Sequence, residues 1–232
     1  MTRCPAPVPR LPPLGKRRYH ISVEKAAGRM AVLAVGDEVD ERLLGERIPD
    51  SLREVRLLLS CGDLPADYLE ALVDRFQVPL LYVRGNHDRW HRESPPPGEN
   101  IHGRLAIVRG VRILGFEGSN WYNGAGVQYT ERQMWWRVAA ARPAVWRAGG
   151  VDVVLTHTPP LGVHDGRDVC HTGFKTFRTL LETMRPRYFV HGHTHLSYTP
   201  MAGRVTIVGG TRIVNAFRSV LLPLEMPVHV LA

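Results

Sequence analysis

Five short apolar runs in this chain each stop on a cluster of Asp, Asn or His, most of them bounded by glycine, and helical patterns fall between them. MAVLAVGD begins at Met30 and ends on Gly36 and Asp37; VRLLLSC (55–61) leads into Gly62 and Asp63; VPLLYVR (78–84) leads into Gly85, Asn86, His87 and Asp88; VDVVLTH (151–157) ends on His157; RYFVHGH (187–193) carries Gly192 and His193, with His195 two residues on. Runs of this length, apolar at successive rather than alternate positions, are strands buried on both faces, as in a parallel sheet covered by helices. PADYLEALVDRF (65–76) has proline at its first helical position and Leu69, Leu72, Val73 and Phe76 at helical spacing, and FKTFRTLLETM (174–184) is a second helix. Thr130 and Gln133 make a capping box for a third helix through Trp135, Trp136 and Val138, which Pro143 is expected to bend or end. RLAIVRGVRILGFEG (104–118) reads as a hairpin turning at Gly110, and RVTIVGGTRIVNAF (204–217) as a closing hairpin before a last apolar stretch near residue 220. The fold class is α/β, and polar clusters at the carboxyl ends of strands are where such folds place ligand chemistry.

Composition narrows the setting. A 232-residue chain that is 44% hydrophobic folds without disulfides or a structural metal. Cys4, Cys61 and Cys170 form no CxxC pair, and the N-terminus has no secretory apolar core, so a reducing, cytoplasmic location is expected. No apolar run is long enough to span a membrane. The net charge of +8 invites a nucleic-acid partner, but residues 1–29 hold seven of the 30 basic residues and only one acid, Glu24, leaving 23 basic against 21 acidic for the remainder. With five prolines, residues 1–29 are expected to be a disordered basic tail, Met30 being an alternative start, and residues 30–232 the domain. Nucleic-acid binding is expected only through that tail. The sequence leaves the oligomeric state open.

Asp37, Asp63, Asn86, His87, Asp88, His157, His193 and His195 offer mostly oxygen and imidazole donors without sulfur, a set suited to manganese, iron, nickel or zinc in a catalytic rather than a structural site. His193 and His195, two apart on an extended segment, point to one side and can address two adjacent ions. GD at 36–37, GD at 62–63 with Asp67 four residues on, GNHD at 85–88, the strand-end His157 and GHTH at 192–195 together resemble, in order and spacing, the signature blocks of the calcineurin-like metallophosphoesterases, over residues 30–217.

The resemblance implies a four-layer α/β/β/α sandwich of two mixed β-sheets flanked by helices, with a dinuclear metal site at the strand carboxyl ends. It implies two divalent ions, manganese first, with iron, nickel or zinc as alternatives. Asp63 would bridge them, Asn86, His157 and His193 would complete one site, and Asp37 and His195 would serve the other. His87 would be the catalytic group beside the leaving oxygen. The implied reaction is hydrolysis of a small-molecule phosphomonoester or phosphodiester by in-line attack of a metal-bound hydroxide.

One position departs from the family. The first block ordinarily reads Asp, any residue, His, and here it is Asp37, Glu38, Val39. The ion held by Asp37 and His195 is therefore expected to bind weakly or to be missing, unless Asp40, His164 or His171 supplies a donor. That loss supports a rival reading, a non-catalytic scaffold of the same fold; a nuclease or nucleic-acid binder is the other. LGVHDGRDVCHTGF (161–174) is expected to line the cleft, with His164, Arg167 and His171 as substrate contacts. Asp67 reads as a helix N-terminal carboxylate, Asp88 as an orienting or turn residue, and His191 and Cys61 as core. The loop containing Asn120, Trp121, Tyr122, Asn123 and Tyr129 reads as surface packing or a substrate wall.

Overall fold

The strand sequences sort by parity. In β1 (Arg29–Gly36) Val32 and Ala34 join one buried cluster while Leu33 and Val35 join another, and β2 (Val55–Ser60) divides Leu57 and Leu59 from Leu58 in the same way. In β9 (Val153–Thr156) Val153 and Leu155 face the first cluster and Val154 a third. Both faces of these strands are thus dry, which explains runs with no polar alternation. The computed structural model describes residues 29–88, 94–196 and 203–225. Residues 1–28 of the expected tail lie outside them.

The first sheet has the order β13-β1-β2-β3-β4, adding β3 (Leu80–Tyr82), β4 (Glu99–Asn100) and β13 (Arg218–Glu225) to β1 and β2. It is parallel from β1 to β4, and β13, the last apolar stretch of the chain, closes its edge antiparallel to β1. In the second sheet the order is β11-β12-β10-β9-β6-β5. Its centre, β6 (Val111–Phe116), β9, β10 (Tyr188–His191) and β12 (Thr211–Asn215), is parallel. The expected hairpins supply its antiparallel edges, β5 (Leu105–Val108) with β6 and β11 (Val205–Val208) with β12. A pair of two-residue strands, β7 (Ser119–Asn120) and β8 (Gln128–Tyr129), brackets a surface loop.

The central cluster lies between the two sheets. Helix α1 (Ala66–Phe76) covers the outer face of the first through Tyr68, Leu69 and Leu72, which pack with Leu33, Val35 and Leu58. Helices α2 (Glu131–Arg147) and α3 (Lys175–Met184) cover the second, with Met134, Val138, Phe177 and Leu180 against Phe116, Val154 and Phe189. The result is the expected four-layer α/β/β/α arrangement. Among the described residues no helix is long and apolar enough to cross a membrane.

Of the two outcomes expected at Pro143, the ending does not occur. The capping box of Thr130 and Gln133 is present, but α2 continues through Pro143 to Arg147. Proline inside a helix costs about 3 kcal/mol. Ala141 and Val145 continue the buried stripe begun by Met134 and Val138, and their contact with the second sheet offsets that cost.

Candidate metal centre

Each site residue follows the carboxyl end of a parallel strand: Asp37 after β1, Asp63 after β2, Asn86 after β3, His157 after β9 and His193 after β10. The turns that carry them are strained. Asp37, Asp63 and His193 have positive φ angles of 67°, 55° and 67°, a region that costs a non-glycine residue roughly 1–3 kcal/mol and persists where the surroundings enforce it. Asp37 Oδ1 accepts from the His193 N–H at 2.7 Å, Asp63 Oδ1 from the His87 N–H at 2.9 Å, and Asp88 Oδ2 from the N–H groups of Asp63 and Gly85, both at 2.8 Å. Asp88 is therefore an orienting residue that ties two turns together. The glycines are forced by the carboxylates: a Cβ on Gly85 would lie 2.0 Å from Asp63 Oδ1, and one on Gly192 2.7 Å from Asp37 Oδ2.

Donor atoms of Asp37, Asp63 and His157 converge within 4.8 Å of one another. The buried Asp37 Oδ2 has no hydrogen-bond partner among the described residues. Burial pushes the Asp37 carboxyl up to about 7, against the opposing pull of His157. A buried carboxylate oxygen without a donor is costly, and a divalent cation is the partner that this set of two carboxylates and an imidazole suits.

His157 is held in a definite state. Its Nδ1 donates to the Cys61 carbonyl and its Nε2 to Asn86 Oδ1, both at 2.8 Å, and Nε2 also lies 3.4 Å from Asp63 Oδ2. Both nitrogens give hydrogens to oxygen, so the ring is an imidazolium. Burial alone would lower its pKa, but Asp63 and then Asp37 outweigh that and raise it to about 9. The cationic ring balances the carboxylates, and a metal at this position must displace its Nε2 proton. We predict that manganese affinity rises about tenfold per pH unit from pH 7 to 9, and more steeply below about 7 where Asp37 also holds a proton. Calorimetric titration across pH checks this; a flat profile contradicts the assigned protonation.

His193 donates from Nε2 to the Cys170 carbonyl at 2.7 Å, which leaves Nδ1 as the lone-pair nitrogen of the neutral ring. Burial and the neighbouring His157 charge lower its pKa to about 3, so it is neutral. His195 packs its ring 5.0 Å from that of Phe217, and burial lowers its pKa as well. His87 stands exposed at the rim, its backbone on Asp63.

The first-block substitution is not repaired by Asp40 or His164. Val39 packs into the apolar cluster under α1. Asp40 is committed to the guanidinium of Arg42 and the hydroxyl of Ser219. His164 is a correction to expectation: its Nδ1 meets His191 Nε2 at 2.9 Å and its Nε2 meets Thr206 Oγ1 at 2.8 Å, so both nitrogens serve the protein and neither is offered to a substrate or metal. His171 does adjoin the centre, 5.1 Å from the His193 ring, with Nδ1 on Asp168 at 2.9 Å. Arg167 is exposed on the same loop. Asp67 accepts from the Tyr68 N–H at the start of α1, and His191 is fully buried in the core. Cys61 is buried too, its carbonyl serving His157. In the loop expected to be surface packing or a substrate wall, the Tyr122 hydroxyl lies 3.1 Å from Asn86 Nδ2.

Residues 23–197 match the calcineurin-like phosphoesterase family. The human metallophosphoesterase domain-containing protein 1 is 33% identical over 114 residues, 47% of this chain and 31% of the human protein, and its mouse counterpart matches equally. The match thus spans about a third of the length of these relatives. Among solved structures, TT1561 of Thermus thermophilus aligns with a TM-score of 0.57 at 17% identity, over 82% of this chain and 89% of its own. GAP50 of Plasmodium, described as the anchor in the inner membrane complex, aligns with a TM-score of 0.50 at 11% identity, over 81% and 71%.

Proposed function

The chain belongs to the calcineurin-like phosphoesterase family, and on that premise we propose that it hydrolyses a small-molecule phosphomonoester or phosphodiester at the Asp37–Asp63–His157 cluster. The observation that carries this reading is the buried Oδ2 of Asp37, which has no hydrogen-bond partner among the described residues, beside Asp63 and His157. Asp63 would be shared between two ions, Asn86, His157 and His193 would hold one, and Asp37 and His195 the other. Two divalent cations, with manganese favoured over iron, nickel or zinc, supply charge neutralisation at the phosphoryl group and acidify water.

The remaining work belongs to the chain. Asp88 fixes the Asp63 and Gly85 turns, and the Cys170 carbonyl fixes the His193 tautomer, so the donors are placed before an ion arrives. His87, exposed and with its backbone N–H on Asp63, would give a hydrogen bond or proton to the leaving oxygen. His171, its ring 5.1 Å from that of His193, and Arg167, exposed on the same loop, would meet the substrate phosphate. The ion on Asp37 and His195 is the weaker of the two, because Val39 supplies no donor.

Val39 also favours a second reading, a scaffold that has kept the fold and lost turnover. Hydrolysis of p-nitrophenyl phosphate and bis(p-nitrophenyl) phosphate with added manganese separates the two. The enzyme reading expects turnover that Asn86→Ala abolishes; no turnover with manganese, iron, nickel or zinc favours the scaffold.

A further inference from the structure

The loop between β7 and β8 is built around one buried side chain. Gln128 Oε1 accepts from the backbone N–H groups of Tyr122, Asn123 and Gly124 at 3.1, 3.3 and 3.2 Å, and its Nε2 donates to Asn123 Oδ1 at 2.7 Å and to the Ala125 carbonyl. Five hydrogen bonds to one amide fix the loop without a regular element. The loop is then fastened to the metal centre. The Val127 N–H donates to the Asn86 carbonyl at 3.2 Å, and Asn120 Nδ2 donates to the carbonyls of Thr172 and Gly173 at 2.9 and 3.0 Å, tying it to the loop whose Cys170 carbonyl holds His193.

What this frame presents is the Tyr122 hydroxyl. Its oxygen accepts from Asn86 Nδ2 at 3.1 Å, which orients the amide so that Oδ1 faces His157. The phenolic proton must then go elsewhere. Among the described residues it has no acceptor, and Tyr122 is only partly buried. An oriented O–H beside a metal-ligand candidate, on a loop fixed in advance, is a donor for a charged oxygen bound at that centre.

We propose that Tyr122 donates its phenolic hydrogen to a non-bridging oxygen of the phosphoryl group bound at this centre, making it a substrate-contacting catalytic residue. This inference rests on the phosphoesterase reading above, and it adds to the site a donor independent of His87, His171 and Arg167.

The test is orthophosphate binding to the full chain saturated with manganese, measured by calorimetry for the wild type and Tyr122→Phe. Saturation removes any effect of the variant on metal affinity, and the change deletes one oxygen from a partly exposed side chain, with matched thermal unfolding as the check on folding. The expected result is a loss of orthophosphate affinity of about tenfold or more, the scale of a hydrogen bond to a charged group. Equal affinity in the two proteins overturns the proposal, even if manganese binding by the variant is weakened. If the wild type itself binds neither manganese nor orthophosphate, the phosphoesterase reading fails first, so the two failures are distinct.

Discussion

Replacing Asp63 with Asn is expected to lower kcat/KM for phosphoester hydrolysis by about three orders of magnitude, the equivalent of about 4 kcal/mol of transition-state stabilisation, and to lower metal content with it. Asp63 is the carboxylate most tightly built into the centre. Its Oδ1 takes the His87 N–H, its own N–H is held by Asp88, and its Oδ2 faces His157 Nε2. Burial would raise its pKa, but the His157 charge and the His87 N–H outweigh this and hold it at about 2, so it is anionic at any working pH. The amide keeps shape and volume and removes the charge, so folding should survive where ion binding does not. The change also removes the main support of the His157 imidazolium, and the His157 pKa should fall from about 9. Kinetics, metal analysis and histidine NMR on one preparation check all three effects. A variant with wild-type turnover would remove Asp63 from the mechanism.

The largest effect on stability is expected at Arg84. Its guanidinium holds Glu117 through two hydrogen bonds of 2.8 and 2.6 Å, and Glu117, only 2% exposed, also takes the Tyr129 hydroxyl at 2.7 Å and Asn100 Nδ2 at 3.3 Å. Burial acts to raise the Glu117 pKa, but Arg84, His102 and Tyr129 together hold it at about 2. Arg84→Ala leaves that carboxylate buried without its cation, and such losses cost about 3–5 kcal/mol, or a melting temperature lower by ~10 °C for a domain of this size. In the wild type the stabilisation from the depressed Glu117 pKa is fully present above about 4.5 and is lost as pH falls toward about 2. Thermal unfolding of both proteins between pH 3 and 7 measures both effects. A melting temperature within 2 °C of wild type at neutral pH would contradict this account of the network. Arg84 directly precedes Gly85 and Asn86, and its carbonyl accepts from the Gly118 N–H at 2.8 Å, so a loosened network should also weaken metal binding.

The sheets were legible in the sequence because they depend on local pattern. Strands buried on both faces read as unbroken apolar runs, and Asp37, Asp63, Asn86, His157 and His193 each follow one within a few residues. The particular contacts that hold them were not legible, because they depend on which distant atom comes near. The Cys170 carbonyl on His193, the Asp88 carboxylate on Asp63 and the Tyr122 hydroxyl on Asn86 join residues 23, 25 and 36 positions apart. Neither a carbonyl nor a lone tyrosine carries a sequence signature. His164 shows the converse. It sits in a polar, glycine-rich stretch that looks like a substrate loop, yet the fold turns its ring inward onto His191 and Thr206. Pro143, expected to bend or end its helix, does not end it: propensity is local, whereas the burial of Ala141 and Val145 is decided by the sheet beneath.

The most direct test of the metal centre is activity against manganese equivalents for chelator-stripped full-length protein, with bis(p-nitrophenyl) phosphate as substrate. The proposed function predicts no turnover in the stripped protein and turnover that rises with bound manganese and saturates as the Asp37–Asp63–His157 cluster fills. Hydrolysis that survives complete removal of metal, or manganese bound at that cluster without turnover of this or any other phosphoester, would contradict it.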